Sequence, residues 1–143
     1  MKKNIETKYL IFFTLVMIVL DQVTKYIFLK IGQVIVPNEP QNNGYYILVS
    51  IVIVIMLIRY MANTNSFIKS GTRVVLSFAI AGALGNVIDR IFRGYVISFI
   101  KLGDFININL AYIYIAITWV GMAAILTKNS YVFLNKRKVK GLK

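Results

Sequence analysis

The chain has no cysteine and no histidine. The first absence removes disulfides and thiolate nucleophiles, and the second removes imidazole bases and histidine-ligated metals. Any chemistry must then fall to carboxylates, hydroxyls or lysines, and neither a metal nor a cofactor is expected. Acids are scarce, with five Asp and Glu against 17 Lys and Arg, a formal net charge of +12. Two prolines in 143 residues leave little to interrupt long helices. What fills the chain is apolar: 58% of its residues are hydrophobic and its mean hydropathy is +0.70. A soluble domain of this size would not be built so.

Four stretches, 8–29, 45–62, 74–92 and 107–127, are long enough to span a bilayer as helices, at about 1.5 Å per residue against a hydrocarbon core of about 30 Å. The first runs apolar from Tyr9 to Leu20 and continues into Asp21, Lys25 and Tyr26 with no small-residue cleavage site, so it reads as a retained helix and not as a removed signal peptide. The connections are short, and no internal repeat or low-complexity linker divides the chain. The expected fold is an all-α integral membrane bundle of four transmembrane helices.

The excess of positive charge could indicate nucleic acid, but its placement follows the positive-inside rule, and no nucleic-acid partner is expected. Lys2, Lys3 and Lys8 precede the first span. Arg59, Lys69 and Arg73 surround the second-to-third loop, and Lys128, Lys136, Arg137, Lys138, Lys140 and Lys143 follow the fourth. Both termini are therefore expected in the cytoplasm, with 128–143 a basic tail lying against membrane lipids. Residues 63–71 read as an ordinary cytoplasmic turn. The outer loop from Gly32 to Gly44 holds both prolines and the patch Val34-Ile35-Val36, which suggests a short extracytoplasmic strand element on the membrane surface.

Ionisable groups inside a span cost at least about 2.5 kcal/mol on insertion scales, so they call for partners or a function. Asp21, Thr24 and Lys25 stand at i, i+3 and i+4 near the outer end of the first span. Asn86, Asp89 and Arg90 repeat that spacing near the outer end of the third, and Asn107 and Asn109 open the fourth, with Asn109 one turn before Tyr112. Polar groups from three helices at one depth make either a site within the bundle or a structural polar network, in which Lys25 and Arg90 neutralise Asp21 and Asp89.

The segments Asp21-Gln-Val-Thr-Lys25, Gly82-Ala-Leu-Gly-Asn-Val-Ile-Asp-Arg90, Gly94-Tyr-Val-Ile-Ser-Phe-Ile100 and Asn109-Leu-Ala-Tyr-Ile-Tyr-Ile115 resemble, in order, the blocks of lipoprotein signal peptidase, or signal peptidase II. The resemblance covers nearly the whole chain, 1–143, as one domain, and Gly82 to Arg90 is its most specific part. It implies a polytopic aspartic peptidase of the bacterial cell membrane that removes the signal peptide from diacylglyceryl-modified prolipoproteins. In such chemistry one carboxylate takes a proton from water while a protonated partner polarises the scissile carbonyl.

The family pattern places those two aspartates at the positions matching Ser98 and Tyr112. Serine is no base near neutral pH and a phenol is a poor one. Asp21, Asn86, Arg90 and Asn109 match supporting positions, and the resemblance gives them roles in shaping the site and engaging substrate. The outer loop is shorter than the family's extracytoplasmic cradle, and Asn43-Gly44-Tyr45-Tyr46 only partly resembles its asparagine-glycine block. The expectation is a catalytically degraded homologue, a pseudoenzyme whose partner is a lipid-modified prolipoprotein signal peptide or an inhibitor that mimics one. Within the enzyme class, the rivals are a relocated dyad of Asp104 with Asp89 or Asp21, and Ser98 as a nucleophile with Lys25 or Lys101 as base. A small membrane scaffold or accessory subunit is a third reading.

Overall fold

The computed structural model describes residues 2–36, 43–62, 70–103 and 105–141. Its order is α1 (Lys2–Lys30), α2 (Asn43–Ala62), α3 (Ser70–Arg93), β1 (Ile100–Leu102), β2 (Ile106–Ile108) and α4 (Leu110–Gly141). All four helices carry a stretch long and apolar enough to cross a membrane. No proline falls within any of them, and their interiors are rich in Leu, Ile, Val and Phe, so the backbone satisfies its own hydrogen bonds while the side chains meet lipid or one another.

Helix α3 is the hub, packing against each of the other three, while α1 and α4 share a shorter seam. Half of its apolar stretch is buried inside the protein, against 6% to 11% for the others, so those three present most of their surface to the membrane. Small residues make the hub possible. A Cβ added at Gly82 would stand 2.5 Å from the carbonyl oxygen of Ala111, and one at Gly85 would stand 2.5 Å from a carboxylate oxygen of Asp21. An aromatic relay of Phe13, Phe78 and Tyr114, with ring centroids 5.2 and 6.0 Å apart, packs α1, α3 and α4 together away from the polar end.

Past Arg93 the helix stops at Gly94, whose φ of 80° is open to glycine at little cost and turns the chain back over the bundle. The returning segment buries Val96, Ile97 and Ser98 and then enters an antiparallel hairpin, with Ile100 opposite Ile108, Lys101 opposite Asn107 and Leu102 opposite Ile106. The expected strand element in the loop after α1 is present as a single bridge: Ile35 N donates to Ser98 O at 2.7 Å, and Ser98 N to Ile35 O at 3.4 Å. Residues 37–42, which hold both prolines, and Asp104 lie outside the described residues. The apolar run into the fourth span becomes a helix at Leu110, because Ile106–Ile108 is drawn into the hairpin and Asn109 caps α4. Helix α4 continues past 127 to Gly141.

Candidate functional site

One turn of α1 puts Asp21 and Lys25 on the face that meets α3, and neither has any exposed surface. The Lys25 ammonium donates to Asp21 Oδ2 at 2.6 Å and to Asn86 Oδ1 at 3.2 Å, and it lies 2.8 Å from Asp89 Oδ2. Its three donors thus meet three acceptors on two helices. Asp89 takes a second cation, Arg93, whose Nη1 lies 2.5 Å from Oδ1. Two acids and two bases sum to zero, which is the condition under which charges can be enclosed at this depth.

The carboxylates also reach the main chain. Asp21 Oδ1 accepts from the backbone N–H of Ala111 at 2.9 Å, and Asp89 Oδ2 accepts from that of Ile97 at 3.1 Å. The Ala111 amide belongs to the first turn of α4, which has no intrahelical acceptor, so Asp21 satisfies it and sets a negative charge against the positive end of that helix. Asn109 caps the same helix, its Oδ1 accepting from Tyr112 N at 3.0 Å. Its amide donates to Asn86 Oδ1 at 3.1 Å and to Ile97 O at 2.7 Å.

Asp21, Lys25, Asn86, Asp89 and Asn109 therefore form one buried network. Arg90 does not join it, which corrects the expectation that it neutralises Asp89. Its guanidinium sits over the Tyr46 ring, 5.2 Å from the centroid, its Nη1 approaches Asn86 O at 3.4 Å, and its Nε is buried without a hydrogen-bond partner. The reason is helical geometry: the residue after Asp89 points about 100° away around the axis, whereas Arg93, at i+4, returns to the same face. The sequence reading missed Arg93 and also Gln22. Gln22 Nε2 donates to Gly85 O at 3.0 Å and to Asp89 Oδ1 at 3.3 Å, while its Oε1 accepts from Arg93 at 3.0 Å. Asn107 lies in β2 opposite the exposed Lys101, outside the network.

Ser98 is buried, and its hydroxyl approaches Asn107 O at 3.5 Å. Tyr112 is 38% exposed, so it does not fill the polar core. It lines an apolar groove of about 570 Å³ beneath the hairpin, with Leu102, Ile108, Ile113, Ala116 and Val120. The two residues share a support: the residue before Ser98 hangs from Asp89, and the residue before Tyr112 hangs from Asp21. Lys25 binds both carboxylates, and neither has exposed surface.

The family model described as signal peptidase (SPase) II matches residues 35–128, more than half of the chain. The chain belongs to the signal peptidase II family. Among relatives of this signal peptidase II family member are lipoprotein signal peptidases of Staphylococcus aureus. One, from strain bovine RF122 / ET3-1, is 32% identical over 109 residues, covering 62% of this chain and 66% of the relative. Another, from strain JH9, is 34% identical over 112 residues with the same coverage. The chain thus spans about two thirds of the length of these relatives. Two solved structures of bacterial membrane enzymes, obtained by the in meso method at 2.3 and 1.9 Å resolution, superpose with TM-scores of 0.75 and 0.73 at 24% identity. They cover 86% and 83% of this chain, and 90% and 92% of their own, so this family member shares their fold.

Proposed function

We propose that this signal peptidase II family member binds the lipid-modified signal peptides of prolipoproteins, or inhibitors that mimic them, without cleaving them. The observation that supports this reading is the buried framework that reaches the residues before Ser98 and Tyr112, the two positions that the resemblance matches to the family's aspartates. Neither side chain can generate a hydroxide from water, and the two carboxylates nearby are bound to Lys25. Arg90, stacked on Tyr46 with no acid paired to it among the described residues, supplies a cation for the polar part of a ligand. The groove beside Tyr112, whose lining is otherwise aliphatic, suits acyl chains. Such a protein acts as an accessory or as a decoy that withdraws inhibitor from a peptidase. It sits in the bacterial cell membrane with both termini in the cytoplasm, a topology supported by the clusters of lysine and arginine at that end.

The relocated dyad gains nothing from the geometry. Asp104 lies outside the described residues, and both of its suggested partners are enclosed. The Ser98–Lys25 route gains nothing either, since that ammonium already meets three acceptors.

The test is binding without turnover. A fluorescent diacylglyceryl-modified signal peptide should bind the purified chain saturably and be recovered intact by mass spectrometry, while its unlipidated counterpart binds more weakly. A cleaved product would overturn the reading, and so would the absence of saturable binding.

A further inference from the structure

Hydrogen bonds of the hairpin tie the segment after Ser98 to the segment before Tyr112, with Phe99 N donating to Ile108 O at 3.1 Å. That ladder ends at Phe99 and Ile108, so Ser98 and Tyr112 lie beyond it, and their separation and position over α1 and α3 depend on other contacts. Beside the Ile35–Ser98 bridge and the stacking of Phe28 on Phe99, with ring centroids 4.3 Å apart, three buried polar contacts bear on it. Asp89 holds Ile97 N, Asp21 holds Ala111 N, and Asn109 reaches Ile97 O. Both carboxylates are without exposed surface and would repel each other if nothing stood between them. What stands between them is Lys25, 2.6 Å from one and 2.8 Å from the other.

We propose that Lys25 is the positioning residue of this site: its ammonium draws the two carboxylates together and, through them, fixes the distance between positions 98 and 112. The carboxylates grip the two segments through main-chain amides, so the clamp acts the same whatever side chains occupy 98 and 112 and whatever the site binds. A lysine serves here where an arginine would not, because three acceptors converge on one compact point charge and a planar fork would splay them. Arg93 and Gln22 brace Asp89 from the other side and keep its second oxygen from competing for the same ammonium.

Because the sequence has no cysteine, thiols can be placed at chosen points without background. The experiment carries Ser98→Cys with Tyr112→Cys in the full chain and reads cross-linking yield against a graded series of bifunctional thiol reagents. In the parent, the yield should peak sharply at one spacer length. Lys25→Met should lower that peak several-fold and broaden it. A second pair, Phe13→Cys with Phe78→Cys, lies in the aromatic relay away from the network and should cross-link equally with or without Lys25. Where Lys25→Met alone unfolds the chain, shown by loss of the 13–78 cross-link, Lys25→Met combined with Asp21→Asn and Asp89→Asn removes the repulsion and keeps both carbonyl acceptors. The clamp predicts a broadened 98–112 profile in that triple variant too. An unchanged 98–112 profile, in either variant with the 13–78 pair intact, would overturn the proposal. Ligand binding does not enter this readout, so its failure and a failure of the proposed function are separate results.

Discussion

Gly85 faces the Asp21 carboxylate across the contact between α1 and α3, and the absence of a side chain there is what admits it. Asp21 cannot retreat, because Lys25 and the Ala111 amide hold its two oxygens. Gly85→Ala should therefore lower stability by about 1–3 kcal/mol, read as thermal unfolding in detergent, despite the better helix propensity of alanine. Gly71→Ala, where a Cβ meets nothing within 4 Å, should leave the transition unchanged or slightly raised. A second contrast separates the arginines. Arg93→Met removes a charged hydrogen bond to Asp89 and should cost about 1.5–3 kcal/mol, whereas Arg90→Met should cost less in stability and more in ligand binding. The Asp21–Lys25 pair was legible in the sequence because i, i+4 spacing on a helix is geometry. Asp89–Arg93 obeys the same rule, but adjacency drew the reading to Arg90, and Gln22 carried no charge to mark it.

At the scale of elements, α4 depends on how it starts. The Ala111 and Tyr112 amides of its first turn have no intrahelical acceptor, and Asp21 and Asn109 supply the acceptors. Asn109→Ala should remove about 1 kcal/mol as a lost cap and about 1–3 kcal/mol more as the buried Asn86 and Ile97 acceptors lose their donor. Amide exchange at Ala111 and Tyr112 should accelerate with it, while the 13–78 contact region keeps its protection. Asn109→Asp, which keeps the cap oxygen, should retain the cap and lose the amide donor. The four spans were readable from apolar length alone. The hairpin was not: residues from 107 on pass for the beginning of a span, and the strand pairing of Ile106–Ile108 depends on Ile100–Leu102, which local pattern does not reveal. The patch Val34-Ile35-Val36 suggested a strand, and its partner, Ser98, could come only from the fold.

For the whole molecule, the central feature is a charge-neutral cluster that joins three helices and two returning segments at one end of a bundle with an otherwise lipid-facing surface. Such a cluster is costly to bury and is retained here with serine and tyrosine at the neighbouring positions. On the proposed function, the cluster positions a ligand and transfers no proton. On that reading the buried framework persists and the reacting carboxylates are missing from it. The most direct test is cleavage of a diacylglyceryl-modified prolipoprotein by the purified chain, measured beside a variant carrying both Ser98→Asp and Tyr112→Asp. No product is expected from the unaltered chain, and the double variant should cleave at the lipidated cysteine. Cleavage by the unaltered chain would contradict a site built to hold without reacting.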